Sequence, residues 1–242
     1  MNLESRLSDA IKWFWKTRSN QSKRQGLNQG VRDHGNRTAV TGGKQLNGFV
    51  RLVTELLAEG GLPLGSVHVR KSEVVLPGYF RPSKEWDLVV VHNGKLLATV
   101  EFKSQVGSLG NNFNNRIEEA LGNATDIQRA YREGAFKPSP APWLGYLMML
   151  ERSDDSTRTR SIRERHFPVM EDFKSTSYAD RYGLFCQRLV RERLYNAACF
   201  IMSDEQTGIA GSYLEPMNEL NFKNFAASLI GHVSGYVRRD FL

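Results

Sequence analysis

The chain has 242 residues, enough for one sizeable core or at most two small domains. Hydrophobic residues make up 40% of it and charged residues 24%, and no apolar run reaches bilayer-spanning length, which argues against a helical membrane protein. Lys and Arg outnumber Asp and Glu by 33 to 26, giving a net charge of +7 and a pI near 9.5, a balance that suits a polyanionic partner if a site supports one. Met1 to Asp9 holds no apolar signal-peptide core, and the only two cysteines, Cys186 and Cys199, lack metal-site spacing. A cytoplasmic chain with two buried, reduced thiols is therefore expected.

In chain order, Leu3, Leu7, Ala10, Ile11 and Phe14 recur at helical spacing. A polar, basic stretch from Lys16 to Arg37 reads as a loop or arm. After Thr41-Gly42-Gly43-Lys44 an amphipathic helix shows the stripe Leu46, Phe49, Val50, Val53 and Leu57. Strand texture follows, with candidates at Val67 to Leu76, Asp87 to His92 and Lys95 to Lys103; Asn93-Gly94 between the last two is a strong hairpin signal. Phe113, Ile117, Ala120, Leu121, Ala124 and Ile127 mark a long helix. Pro138 to Pro142 is a loop, and Leu144 to Leu150 a buried strand. A hydrophilic, arginine-rich segment runs from Arg152 to Arg165. Tyr182, Phe185, Leu189 and Val190 mark a helix, Ala197 to Met202 a buried strand, and Phe222 to Val233 a closing helix. Helices that precede, interrupt and follow a central group of strands predict an α/β fold with a mixed sheet flanked by helices. Residues 1–242 read as a single domain: an N-terminal helix and basic arm over 1–40, a core over 41–205 and a C-terminal helix over 206–242.

One constellation carries chemistry. Asp87 opens one strand of the hairpin and Glu101-Phe102-Lys103 ends the other. Glu101 and Lys103, two apart in a strand, project from one face. A magnesium ion takes a few carboxylate oxygens and keeps several waters. Asp87 and Glu101 are thus candidate ligands of Mg2+, and Lys103 a candidate to orient or activate an attacking water at a phosphodiester. Charged strand ends and Glu-x-Lys pairs also occur as solvated edges. Here the residues before Glu101 (Leu96, Leu97, Ala98 and Val100) are mostly apolar, so the charges end a strand that reads as buried. The hairpin poses a geometric condition. A plain two-residue turn at Asn93-Gly94 sets position 87 opposite Val100, facing away from Glu101. A three-residue turn, or a bulge near Asp87, is needed to bring the two carboxylates to one face.

Gln105, Asn111, Asn112, Asn114, Asn115 and Arg116 follow Lys103 within a Gly- and Asn-rich segment. Asn and Gln read adenine bidentately and Arg reads guanine, so these six are candidate DNA contacts. The alternative is that one Asn caps the next helix and the rest are solvated. Lys44, after two glycines and before a helix, is a candidate phosphate contact. Arg158, Arg160 and Arg163 fit phosphate contacts or a solvated surface equally well.

Asp87 with Glu101-Phe102-Lys103 resembles the PD-(D/E)xK nuclease motif, with Trp86 in place of the proline. Gly110-Asn111-Asn112-Phe113-Asn114-Asn115-Arg116, followed by Glu118-Glu119-Ala120-Leu121-Gly122, resembles the XhoI-type type II restriction endonucleases, and the likeness extends over nearly the whole chain, Thr41 to Lys44 included. The resemblance implies a restriction-endonuclease-like core and Mg2+-dependent hydrolysis of double-stranded DNA. It also implies a homodimer that cuts the palindrome 5′-CTCGAG-3′ after the first C, leaving a 5′ overhang, and a cognate DNA methyltransferase as functional partner. Two other readings stay open: a repair or junction-resolving nuclease on the same core, and a DNA-binding protein without catalysis. For the dimer, no second Asp/Glu/Lys set is evident, since Glu118, Glu119 and Glu192 sit in helical patterns without a strand-borne partner. Trp13 and Trp15 are candidates for the interface or for ordinary core.

Overall fold

A computed structural model of the chain describes residues 2–27 and 43–239. In chain order its elements are α1 (Leu3–Leu27), α2 (Asn47–Glu59), β1 (Val67–His68), β2 (Val75–Pro77), β3 (Ser83–Glu85), β4 (Leu88–His92), β5 (Lys95–Gln105), α3 (Leu109–Arg132), β6 (Trp143–Glu151), α4 (Asp154–Thr157), α5 (Tyr178–Arg191), β7 (Ala197–Ser203), α6 (Glu205–Gly208) and α7 (Phe222–Arg239). A five-stranded sheet in the order β1-β4-β5-β6-β7 lies at the centre, and β2 and β3 form a separate ribbon. The pairs β1/β4 and β4/β5 are antiparallel, while β5/β6 and β6/β7 are parallel. The sheet is mixed, as the order of elements predicts. The apolar runs of β6 and β7 belong to its parallel half, where helices cover both faces and every side chain needs a dry neighbour.

Each face of the sheet has its own core. Phe14 and Trp15 of α1, Phe49 of α2 and Phe225 of α7 pack on one face against Val100 and Phe102. On the other, Phe113, Ala120 and Ile127 of α3 and Tyr182 and Phe185 of α5 pack against Tyr146 and Met148. Burying each large ring stabilises the fold by about 1.5–3 kcal/mol.

Several boundaries differ from the sequence reading. Lys16 to Leu27 belongs to α1 and not to a loop, so the amphipathic start carries the helix further than its apolar stripe; the rest of the basic stretch, and Thr41-Gly42, fall outside the described residues. The strand expected from Val67 to Leu76 is two short strands, interrupted by turns at 70–73 where Glu73 and Val74 donate to the Arg70 carbonyl. Asp87 lies one residue before β4. Leu121, counted in the apolar stripe of α3, is 39% exposed, while Asn123 and Asp126 are buried on that helix. Trp15 is core at 1% exposure, with its indole N–H donated to Ser203 Oγ at 3.0 Å, whereas Trp13 is 43% exposed. Both cysteines are buried and free, as expected.

Candidate active site

The hairpin meets the geometric condition through a bulge. Its turn has two residues, since His92 pairs with Lys95, and Asn93 and Gly94 take the left-handed backbone that such a turn requires (φ 48° and 70°). Between Val90/Val91 the register shifts: Val91 faces Leu96 and Val90 faces Ala98, so Leu97 is the extra residue. Leu97 and Ala98 both enter the core under α1, α2 and α7, which two consecutive residues of a regular strand do not do. Beyond the bulge Leu88 pairs with Val100, which brings Asp87 level with Glu101. The irregularity is at Leu97, several residues from where it was expected.

Glu101 is 2% exposed, and each of its oxygens has a partner. Oε1 lies 2.6 Å from Lys103 Nζ. Oε2 lies 3.2 Å from Lys84 Nζ and accepts from Asn123 Nδ2 at 2.8 Å. Burial acts to raise the Glu101 pKa, but Lys103 and then Lys84 override it and hold the carboxyl below its ordinary range. Burial acts in the same way against Lys103, and Glu101 overrides it, so the Lys103 pKa is raised and the ammonium stays charged. Asp87 behaves differently. Its Oδ2 accepts from the Phe102 N–H at 2.8 Å, yet crowding by the surrounding protein and the charge of Glu101 push its pKa up. Asp87 keeps an exposed face, so water screens part of this effect. It opens onto a cavity of about 610 Å³ that also reaches Gly43, Asn47 and Arg51, at the start of α2.

These residues fit a divalent cation. The register sets two carboxylates, Asp87 and Glu101, level on neighbouring segments of the hairpin, and oxygen donors are what Mg2+ selects. Among the described residues no group of three or more His, Cys, Asp or Glu is placed to hold a metal, so the protein side would be two carboxylates, with water and phosphate oxygens completing the shell.

Lys84, Asn123 and Glu119 are residues that sequence reasoning missed. Lys84 is held by the β2–β3 ribbon, over the Trp86 ring at 4.4 Å. Asn123 also accepts from Arg81 at 2.7 Å, and Arg81 pairs with the buried Asp126 at 2.8 Å. The available signal was a polar residue in the core stripe of α3, next to Ala120 and Ala124. Glu119, set aside as a helical residue without a strand-borne partner, stands 3.7 Å from Lys103.

The helix marked from Phe113 begins earlier, at Leu109, and takes in the whole Asn-rich run. Asn111, Asn114 and Asn115 are exposed on the first turns of α3, beside the end of β5. No Asn caps the helix: Ser108 is the N-cap, without a side-chain cap bond, and Asn112 donates to its carbonyl at 3.0 Å. Arg116 is half-buried and paired with Glu119 at 2.9 Å, while its Nε is buried without a partner. Gln105 is buried, its amide donating to the Gly107 carbonyl at 2.5 Å. Lys44 is exposed in the turn before α2, next to Gly43, which lines the Asp87 cavity. Arg158 and Arg160 share Asp155, at 2.7 and 3.0 Å, which favours local ion pairing for that pair. No helix among the described residues is long and apolar enough to cross a membrane.

Comparison with known proteins decides the family. The model of the family "Restriction endonuclease XhoI" matches residues 24–215. The chain belongs to the XhoI restriction endonuclease family. It is 51% identical over 209 residues to the type II restriction enzyme BstVI of Geobacillus stearothermophilus, covering 84% of this chain and 93% of that one. It is 42% identical over 165 residues to AbrI of Azospirillum brasilense, covering 68% and 73%, and 42% identical over 158 residues to XhoI of Xanthomonas vasicola, covering 64% of each. No solved structure matches the chain. The XhoI family is one of type II restriction enzymes, site-specific deoxyribonucleases that act on double-stranded DNA, and the mixed α/β sheet flanked by helices is consistent with a restriction-endonuclease-like core.

Proposed function

We propose that Asp87, Glu101 and Lys103 are the active site of a Mg2+-dependent type II restriction endonuclease that hydrolyses both strands of a palindromic DNA site, 5′-CTCGAG-3′. The observation that carries the reading is the shared geometry of the three groups. The Leu97 bulge brings Asp87 level with Glu101, and Lys103 sits 2.6 Å from that same carboxylate. Asp87 and Glu101 would hold the ion, which when bound supplies a more acidic water and charge stabilisation at the phosphorus.

The chain's own groups do the rest. The Phe102 N–H orients Asp87 through its Oδ2. Lys103, 2.6 Å from Glu101, is placed to orient or activate an attacking water or to donate to a phosphate oxygen. The exposed amides of Asn111, Asn114 and Asn115 supply the base-reading surface on the first turns of α3, with Asn112, Arg116 and the buried Gln105 of β5 shaping it through their internal partners, and Lys44 supplies a phosphate contact near the start of α2. The enzyme works in the cytoplasm as a homodimer, beside a methyltransferase that protects the host site.

Two experiments test this. Sequencing the ends of a plasmid digest reads the site and the stagger directly; ends at any sequence other than 5′-CTCGAG-3′ overturn the assigned site. Asp87→Ala and Glu101→Ala should lose cleavage by about a thousandfold or more while specific binding is kept, because the carboxylates hold the ion and do not read bases. Substantial cleavage in Mg2+ by either variant removes that residue from the site.

A further inference from the structure

Glu101 has more partners than a metal-binding carboxylate needs. Lys103 takes Oε1 at 2.6 Å, and a second ammonium, Lys84, takes Oε2 at 3.2 Å beside the Asn123 amide at 2.8 Å. Lys84 is not a mobile surface lysine that happens to reach inward. Its Nζ also donates to the Glu85 carbonyl at 3.0 Å and lies 4.4 Å from the centre of the Trp86 ring, and Trp86 is core. Its position on β3 is set by pairing with Leu76 of β2. The ribbon therefore delivers a fixed positive charge to the site, three residues before Asp87.

The charge inventory gives this placement a meaning. Asp87 and Glu101 bring two negative charges, and Lys84 and Lys103 bring two positive ones. These four groups sum to zero, and the Arg116–Glu119 pair beside Lys103 adds no net charge. A divalent cation then leaves the centre with a surplus of two positive charges, which match the single charge of a phosphodiester and that of an attacking hydroxide. Without Lys84 the same centre begins at one negative charge. It would attract the cation more strongly, offer less to the doubly charged transition state, and leave Glu101 with a single ammonium on Oε1 and only the Asn123 amide on Oε2.

We propose that Lys84 is a positioning residue of the cleavage site, a second active-site ammonium that acts through Glu101, fixing its carboxylate and setting the charge of the centre. The proposal rests on the reading of Asp87, Glu101 and Lys103 given above. It implies that Lys84 weakens cation binding and speeds cleavage, whereas a counter-charge that served folding alone would leave the cleavage rate of a folded variant unchanged.

The test uses the full chain with Lys84→Gln, Lys84→Arg and, in parallel, Asp87→Ala. Three readouts are taken: Mn2+ binding to the metal-free protein by calorimetry, the single-turnover cleavage rate on duplex DNA at saturating Mg2+, and thermal unfolding. In Lys84→Gln, Mn2+ should bind about threefold or more tightly, and the cleavage rate should fall about tenfold or more. Lys84→Arg should recover most of the rate and restore the weaker Mn2+ binding. A folded Lys84→Gln with unchanged rate and unchanged Mn2+ affinity overturns the proposal, as does a lower melting temperature with Mn2+ affinity unchanged. If Lys84→Gln does not fold, Lys84→Met, which keeps the stem over Trp86, is judged by the same criteria; failure of both to fold marks a structural counter-charge and also overturns it. Asp87→Ala separates the two layers. Loss of cleavage there with wild-type behaviour in Lys84→Gln sinks only the role of Lys84, whereas persistent cleavage in Asp87→Ala sinks the active-site reading beneath it.

Discussion

Asp87 and Glu101 are treated in opposite ways by the fold. Glu101 is buried with two lysines and an amide on its oxygens, and its pKa is lowered. A carboxyl with a depressed folded pKa adds stability above its ordinary pKa, and that stability is lost as pH falls through the folded value. Asp87 has a raised pKa, through crowding and then through Glu101, so the folded state favours its protonated form and becomes less stable as pH rises through that raised value. The two amide variants should therefore differ in sign. In metal-free buffer near neutral pH, Glu101→Gln should lose about 2 kcal/mol by urea unfolding, because two mostly buried ammonium groups lose their counter-charge. That difference should shrink as pH falls below the carboxylate range. Asp87→Asn should be neutral or slightly stabilising, with any gain shrinking as pH falls. Equal losses in the two variants would contradict the opposite shifts.

On the proposed reading, the first turns of α3 are the element that meets the bases. Helix formation spaces Asn111, Asn114 and Asn115 so that they are neighbours on the helix surface, at i, i+3 and i+4, and all three are exposed. Asn112 and Arg116 have internal partners, the Ser108 carbonyl and Glu119. The expected outcome separates the two groups. Asn114→Ala or Asn115→Ala should weaken binding to the cognate site more than to random duplex, by about 1–3 kcal/mol of discrimination. Asn112→Ala should weaken both to a similar degree, since it first loses a bond at the helix start. Competition binding against cognate and scrambled duplexes checks this, and equal losses for Asn114 and Asn115 would reassign them to the DNA backbone or to solvent.

At the scale of the molecule, the hairpin presents one Asp/Glu/Lys set among the described residues, and the palindrome proposed as substrate offers two equivalent phosphodiesters. Cutting both in one encounter needs two chains about a two-fold axis, which is also the commonest closed assembly. Of the two tryptophans named for an interface, Trp15 is core, and Trp13 remains partly exposed beside Arg51, 5.8 Å from its ring. Sedimentation at micromolar concentration should give about twice the 27.5 kDa chain mass. A stable monomer, free and on DNA, that still cuts both strands with no nicked intermediate would overturn the dimer.

The amino-acid sequence by itself determined the class of the fold and the candidate catalytic triplet. Period-two and period-3.6 apolar patterns report directly which face of a strand or helix is buried, and the Glu101/Lys103 spacing places both on one face whatever surrounds them. It also showed that a regular hairpin would separate Asp87 from Glu101. Only the tertiary structure decided where the bulge falls, because Leu97 is as apolar as its neighbours and only packing under α1, α2 and α7 singles it out as the extra residue. The same holds for Lys84, Asn123 and Glu119. Each is remote in sequence from Glu101 or Lys103, or on a different element, and an ion pair between distant residues leaves no periodic trace. Their roles arise where the ribbon, the strand and the helix meet, and that meeting is a property of the folded chain alone.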